Sequence, residues 1–180
     1  MTPGSTDRLT AILASYGRFH RDARNRRTHY FGVPAIIYAI LIPLALPVTT
    51  ASGAGIRLDR VVVVAAALGY ISLDLALGSS LTVVLGLLAA SAEATSALGP
   101  STALTVAGIV FVLGWALQLL GHKLEGNRPA LLTNLAQALV APLFLLAELG
   151  FALGLRRDLR AAVERRLRDA PAQPNYLTRL

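Results

Sequence analysis

Hydrophobic residues fall into five long runs that are separated by short polar segments. The runs cover residues 33–50, 58–78, 80–98, 102–121 and 131–155. Each run approaches or exceeds the roughly 20 residues that an α-helix needs to cross the hydrocarbon core of a bilayer. The pattern therefore predicts an all-α fold, a polytopic membrane helical bundle with four to five spans.

Two breaks between the runs carry turn-forming residues, and the last run carries a helix breaker. Gly78-Ser79-Ser80 and Gly99-Pro100-Ser101 predict tight turns between consecutive spans, because glycine, proline and serine favour turns. Pro142 stands near the middle of the last run, where its ring removes a backbone hydrogen bond of a regular helix. The last segment is therefore predicted to be kinked or re-entrant at Pro142.

Amphipathic segments flank the apolar region on both sides. Residues 8–20 and 155–167 repeat apolar side chains at helical spacing and place charged residues between them. Because helices of this kind lie in the membrane interface, we predict one interfacial helix near each terminus. The chain is then a single membrane-embedded domain over 1–180, with a polar, amphipathic N-terminal segment 1–32, membrane helices 33–155 and a basic C-terminal tail 156–180.

The charge distribution indicates a membrane protein rather than a nucleic-acid-binding one. Hydrophobic residues make up 54% of the chain and charged residues only 15%, whereas soluble domains carry about 25% charged residues. The net charge of +7 comes largely from arginines beside the apolar runs, six between residues 8 and 27 and six between residues 156 and 168. This placement follows the positive-inside rule. We therefore expect a lipid bilayer as partner and no nucleic acid.

The side of the membrane follows from the same arginines. If the N-terminus is inside, four crossings return the chain to the same side at His122. Sixteen arginines against one lysine point to a GC-rich bacterial genome, so we expect a bacterial cytoplasmic membrane with the site on its cytoplasmic face. The chain has no cysteine, which excludes disulfides and thiolate metal sites.

The three histidines of the chain lie in two polar segments. His20 and His29 precede the first apolar run and His122 follows the fourth. Nine residues on one helix would turn His29 about 180° from His20, so the two converge only if the chain bends between them, most readily at Asp22-Ala-Arg-Asn25. If the fourth helix reaches Gly126, it aligns four side chains within an arc of about 80°: Trp115, Gln118, His122 and Glu125.

Imidazole is the commonest neutral metal ligand, and three imidazoles with a carboxylate suit iron(II), zinc or manganese better than calcium or magnesium. We therefore predict metal ligands and catalytic residues at His20, His29, His122 and Glu125, where Glu125 either binds the metal or orients His122. Further residues are expected to contact the ligands or the substrate: Tyr16, Asp22, Asn25, Gln118, Arg128, Asn134, Gln137 and Glu148.

The same residues carry a resemblance to a known family. They are Tyr16, His20, Asn25, His29, Gly32 and Pro34, then Gln118, Gly121, His122, Glu125, Gly126, Pro129, Ala130, Asn134 and Gln137, and finally Pro142-Leu-Phe144, Glu148 and 154–158. At these positions the chain resembles the Mpo1-like family, whose prototype is a yeast 2-hydroxy fatty acid dioxygenase, over residues 10–160.

The resemblance implies an iron(II)-dependent dioxygenase that takes a 2-hydroxy fatty acid and dioxygen and shortens the acyl chain by one carbon in α-oxidation. The family's histidine ligands map onto His20, His29 and His122. Two other functions stay open. One is a non-enzymatic membrane transporter or lipid-binding scaffold, and the other is a zinc-dependent membrane hydrolase with Glu125 as base. A homo-oligomer also stays open.

Overall fold

The computed structural model describes residues 4–49, 55–126 and 136–170, and these residues form seven α-helices and one short β ladder. The helices are α1 (Ser5–Gly17), α2 (Ala23–Leu44), α3 (Leu58–Leu73), α4 (Leu75–Ser96), α5 (Pro100–Glu125), α6 (Ala136–Ala152) and α7 (Arg157–Arg168). Two-residue strands β1 (Val48–Thr49) and β2 (Gly55–Ile56) pair antiparallel. The predicted helical fold is therefore confirmed, with this small ladder as an addition.

Helices α2 and α5 share the most extensive interface and run antiparallel. They approach closely at small residues, because a Cβ on Gly114 would lie only 3.2 Å from the backbone oxygen of Gly32. Nearer the site, a Cβ on Gly121 would collide with Asn25. This pairing brings the N-terminal end of α2 beside the C-terminal end of α5, so that the two polar segments lie at the same end of the bundle.

Helices α3 and α4 form an antiparallel hairpin, and its turn is not where the sequence predicted it. The break falls at Asp74, whose extended backbone ends α3 and whose carboxylate accepts a hydrogen bond of 2.9 Å from the Leu77 amide to cap α4. The predicted turn at Gly78-Ser79-Ser80 is wrong, since these residues lie inside α4. Gly78 serves close packing instead, because a Cβ there would collide with the backbone of Tyr70.

Several apolar helices are compatible with an integral membrane protein. In the described part of the chain, α2, α4 and α5 are each long and apolar enough to cross a membrane, and α6 with α7 is a fourth, bent candidate. Helix α3 has 16 residues, fewer than the roughly 20 of a full span. The structure thus offers three to four candidate spans where the sequence predicted four to five.

The last hydrophobic segment bends after Pro142, not at it. Helix α6 continues through Pro142 because the flanking residues Ala141, Leu143 and Phe144 are buried in the core. The sharp bend of 117° lies between α6 and α7, near Gly154, whose φ is +76°. A re-entrant turn at Pro142 is therefore wrong, and the conformational freedom of glycine provides the bend instead.

Helices α1 and α7 form at both ends as predicted, and they pack on each other. Leu9 and Leu13 of α1 join Leu159 and Val163 of α7 in one buried cluster. Part of the apolar face of each helix thus contacts the other helix, and the predicted position in the membrane interface stays a prediction. Arg166 also donates a 3.0 Å hydrogen bond to the backbone of α1. Both basic segments consequently lie at the same end of the bundle as the histidines.

Candidate metal centre

The two N-terminal histidines converge because the chain bends between them. Helix α1 ends at Gly17, and α2 begins only after Asp22, whose carboxylate caps it by accepting a 2.7 Å hydrogen bond from the Arg24 amide. His20 lies in the connection and His29 lies in the second turn of α2. The predicted bend is confirmed, and its cause is the preference of aspartate for a helix N-cap.

His122 reaches the same place from α5. The helix runs to Glu125 and ends at Gly126, which has a left-handed backbone with φ of +78°. Such a C-cap is commonly glycine. The helix therefore extends far enough to aim Trp115, Gln118 and His122 in one direction, as the spacing predicted, and these three side chains line one cavity.

The three histidines form a compact, buried group. Their side chains are only 1–4% exposed. One ring nitrogen from each lies within 4.8 Å of the others, and the His20 and His29 Nε2 atoms are 3.1 Å apart. The ring centroids are separated by 4.6 to 5.0 Å. Residues this close, with one lone pair each, could hold a metal ion.

Hydrogen bonding fixes which nitrogens carry lone pairs. His20 Nδ1 lies 3.0 Å from the Tyr16 carbonyl oxygen, and His29 Nδ1 lies 2.9 Å from the Asn25 carbonyl oxygen. A carbonyl only accepts, so each Nδ1 carries the proton and each Nε2 of a neutral ring carries a lone pair. The two Nε2 lone pairs then face each other, an arrangement that is unfavourable without a cation between or beside them.

Protonation of one of the two rings would remove this repulsion, but burial disfavours the charged form. Burial, with a smaller effect from neighbouring His29, lowers the pKa of His20 to about 2. His122 adds a second unsatisfied group, because its Nδ1 is buried and has no hydrogen-bond partner among the described residues. Buried polar atoms without partners are rare and costly. A divalent metal ion of intermediate softness would satisfy all three rings, so the donor set fits such an ion.

Glu125 is not part of this group. Its carboxylate accepts hydrogen bonds from the backbone amides of Arg21, at 2.6 Å, and Asp22, at 3.1 Å, and another from the side chain of Asn25. The Asn25 carbonyl in turn holds His29. Glu125 therefore ties the connection that carries His20, and the start of α2, to the helix that carries His122.

Tyr16 and Phe144 both pack against the His20 ring. The Tyr16 ring stacks on His20 with centroids 4.0 Å apart and planes within 2°. Phe144 contacts both, with its ring centroid 5.0 Å from Tyr16. Since the Tyr16 carbonyl oxygen also accepts a hydrogen bond from His20 Nδ1–H, Tyr16 fixes both the position and the tautomer of His20.

The remaining predicted residues do not all line the histidine cavity. Gln118 and Gln137 line the histidine cavity. Glu148 does not; it pairs with Arg26 at 3.4 Å and lines a separate polar cavity behind His20. The predictions for Arg128 and Asn134 fall outside the described residues.

The histidine cavity has a volume of about 230 Å³ and an apolar lining away from the rings. Its α2 wall consists of Val33, Ile36, Ile37 and Ile40, which extend about 16 Å along the helix from His29 at 1.5 Å per residue. These four residues were not among the predicted site residues. Their spacing in the sequence could have identified them, because positions 29, 33, 36 and 40 lie on one face of a helix. Trp115 of α5 lines the cavity as well.

Comparison with known proteins gives one match. The family model described as "2-hydroxy-palmitic acid dioxygenase Mpo1-like" matches residues 6–153. No curated protein and no solved structure matches the chain at a significant level. The match spans α1 to α6 and includes all three histidines.

Proposed function

Because the chain belongs to the Mpo1-like family, we propose that it is an iron(II)-dependent membrane dioxygenase that shortens 2-hydroxy fatty acids by one carbon. In this reaction the bond between C1 and C2 breaks. One dioxygen balances the conversion of a 2-hydroxy acid to the next shorter acid, carbon dioxide and water. The observation that carries the proposal is the buried group of His20, His29 and His122 at the end of an apolar cavity.

The three imidazoles are the proposed iron ligands. Three protein ligands leave coordination positions open for other molecules. A bound iron(II) would supply the redox chemistry that dioxygen needs in order to react with an organic acid. The protein's part is to hold three neutral rings in place, which Tyr16, Asn25 and Glu125 do through the contacts described above.

The cavity supports an acyl substrate. Its α2 wall contains three isoleucines. A hydrocarbon chain that lies along them removes apolar surface from water, which is favourable. Ile40, at the far end, is 46% exposed on the outer surface of the bundle. A fatty acid would therefore enter from the lipid side with its tail toward Ile40 and its polar end toward the histidines.

The charges at this end of the bundle support a site at the cytoplasmic face. The arginine-rich start of α2 and the arginine-rich α7 lie together, since Arg21 donates a 3.1 Å hydrogen bond to the Leu167 carbonyl oxygen. Clustered arginines favour the cytoplasmic side and anionic lipid head groups. An acid that reaches the interface is drawn to the same positive potential.

The test is metal content and oxygen uptake of the full chain purified in mild detergent. We expect about one iron per chain after anaerobic loading, oxygen uptake with 2-hydroxypalmitate, and a product one carbon shorter. His122→Ala should lose both metal and uptake, whereas Lys123→Ala, an exposed neighbour on the same helix, should keep both.

Three other outcomes would overturn the proposal. A folded protein that binds no iron and consumes no oxygen is not this dioxygenase. Zinc occupancy with hydrolysis of an acyl substrate in the absence of oxygen would identify a zinc-dependent hydrolase. Transport or lipid binding that survives His122→Ala would identify a transporter or scaffold.

A further inference from the structure

One polar group in the histidine cavity is not explained by metal binding. Gln137 lies in the first turn of α6 and lines the cavity together with the three histidines. Its side-chain oxygen Oε1 is buried and has no hydrogen-bond partner in the part of the chain that the structure describes. Buried amide oxygens are normally paired, so this one calls for a donor that the described residues do not provide.

The orientation of the Gln137 amide follows from its neighbour on α1. Ser15 Oγ lies 2.8 Å from the Ile12 carbonyl oxygen, which only accepts, so the single hydroxyl proton of Ser15 is used there. Ser15 Oγ can then only accept from Gln137, whose Nε2 lies 3.5 Å away, a long contact. The nitrogen of the amide therefore faces α1, and the oxygen is the end that is left for a ligand.

We propose that Gln137 Oε1 accepts a hydrogen bond from the 2-hydroxyl group of the substrate, and that Gln137 thereby selects 2-hydroxy fatty acids over unsubstituted ones. This inference rests on the proposed function. An ionised fatty acid has no proton to donate from its carboxylate, and its hydrocarbon chain has none. The 2-hydroxyl is the only donor that such a substrate brings into the cavity.

Selectivity follows from the cost of leaving the acceptor unpaired. A site built to bind a hydroxyl rejects the analogue that lacks it, because a buried polar group is then desolvated without a partner. For one neutral acceptor we expect a preference of roughly five- to hundredfold in dissociation constant. Gln118, the second amide in the cavity, is on the same helix face as His122 and does not share this orphaned oxygen.

The experiment compares binding of 2-hydroxypalmitate and palmitate to the full chain in detergent, without turnover and in the absence of oxygen. The variant is Gln137→Leu, which keeps the size and removes the acceptor. The matched control is Leu139→Met, a volume-conserving change two residues along α6 in the lining of the same cavity. Ser15→Ala is a second variant, which frees the amide to rotate and does not alter the cavity wall.

We expect wild type and Leu139→Met to prefer 2-hydroxypalmitate. Gln137→Leu should lose this preference, because the hydroxy acid loses its acceptor and binds more weakly, whereas palmitate no longer leaves a buried oxygen unpaired and binds at least as tightly as before. Ser15→Ala should reduce the preference in part, and it decides the matter if Gln137→Leu does not fold. Equal binding of both acids by wild type, or an unchanged preference in folded Gln137→Leu and Ser15→Ala, would overturn this inference and leave the dioxygenase proposal to oxygen uptake. If neither acid binds, both fall.

Discussion

Gly121→Ala tests whether the close approach of α2 and α5 creates the metal centre. A Cβ at this position would lie closer than 3.0 Å to the side chains of Thr28 and Asn25, and 3.3 Å from the Asn25 Cα. Ordinary contact begins at 3.4 Å, so the two side chains must move by more than 0.4 Å, or α2 as a whole must move away from α5 by that distance. Asn25 holds His29 through its carbonyl, so the shift moves His29 away from His122.

The magnitude follows from two opposing effects on stability and one on geometry. Replacing glycine with alanine inside a helix gains about 1 kcal/mol, while overpacking costs about 1–3 kcal/mol. The net loss of folding free energy is therefore about 0–2 kcal/mol. A movement of α2 by 0.4 Å would carry His29 with it, and this is twice the ±0.2 Å tolerance of metal–ligand distances. We expect metal affinity to fall by at least about tenfold, as in other sites whose supporting contacts are removed.

The assay is competition for zinc or cobalt(II) with a chelator of known affinity, together with thermal unfolding in detergent. Gly108→Ala, on the same helix with nothing within 4 Å of the added Cβ, should change neither property. Gly78→Ala, which overpacks α3 and α4 away from the site, should lower stability and leave metal affinity unchanged. If a folded Gly121→Ala protein binds metal as tightly as wild type, the helix approach does not position the histidines and the reasoning is refuted.

Three further outcomes are expected. Glu125→Ala should weaken metal affinity by roughly tenfold to a hundredfold. It should also speed hydrogen exchange of the Arg21 and Asp22 backbone amides, because both lose their acceptor. Unchanged exchange would contradict the role assigned to Glu125. Chelation should abolish oxygen uptake, and iron(II) but not zinc should restore it. Arg156 lowers the pKa of Asp74 below 3.8, so the stability that the ionised carboxylate adds is present above about pH 4 and is lost as pH falls through the lower folded value. The difference in Tm between wild type and Asp74→Asn should accordingly shrink in acid, and a difference independent of pH would contradict it.

Local rules failed where packing competed with them. Gly78-Ser79-Ser80 has the composition of a turn, yet a helix passes through it because Gly78 is needed for contact with Tyr70, and the stronger local signal was the capping preference of Asp74. Pro142 likewise did not end its helix, because the residues around it are buried. A turn-forming residue breaks a helix only where burial does not favour its continuation.

The sequence alone was enough to predict the helical class, the long apolar helices and the three histidines as a candidate metal site. Apolar runs of span length, arginines at their ends and three histidines in two polar segments are local properties, and each depends only on residue type and spacing. The bend at Asp22 and the helix end at Gly126 were also readable, because capping preferences act within a few residues.

Only the tertiary structure decided which groups meet. Glu125 lies three residues from His122 in the chain, but its carboxylate binds the segment between His20 and His29, more than a hundred residues away. The opposed Nε2 lone pairs of His20 and His29, and the unpaired oxygen of Gln137, are likewise invisible in the sequence. Such features depend on differences of a few tenths of an ångström in the distance between helices. That distance is set by how closely small residues such as Gly32, Gly114 and Gly121 let the backbones approach.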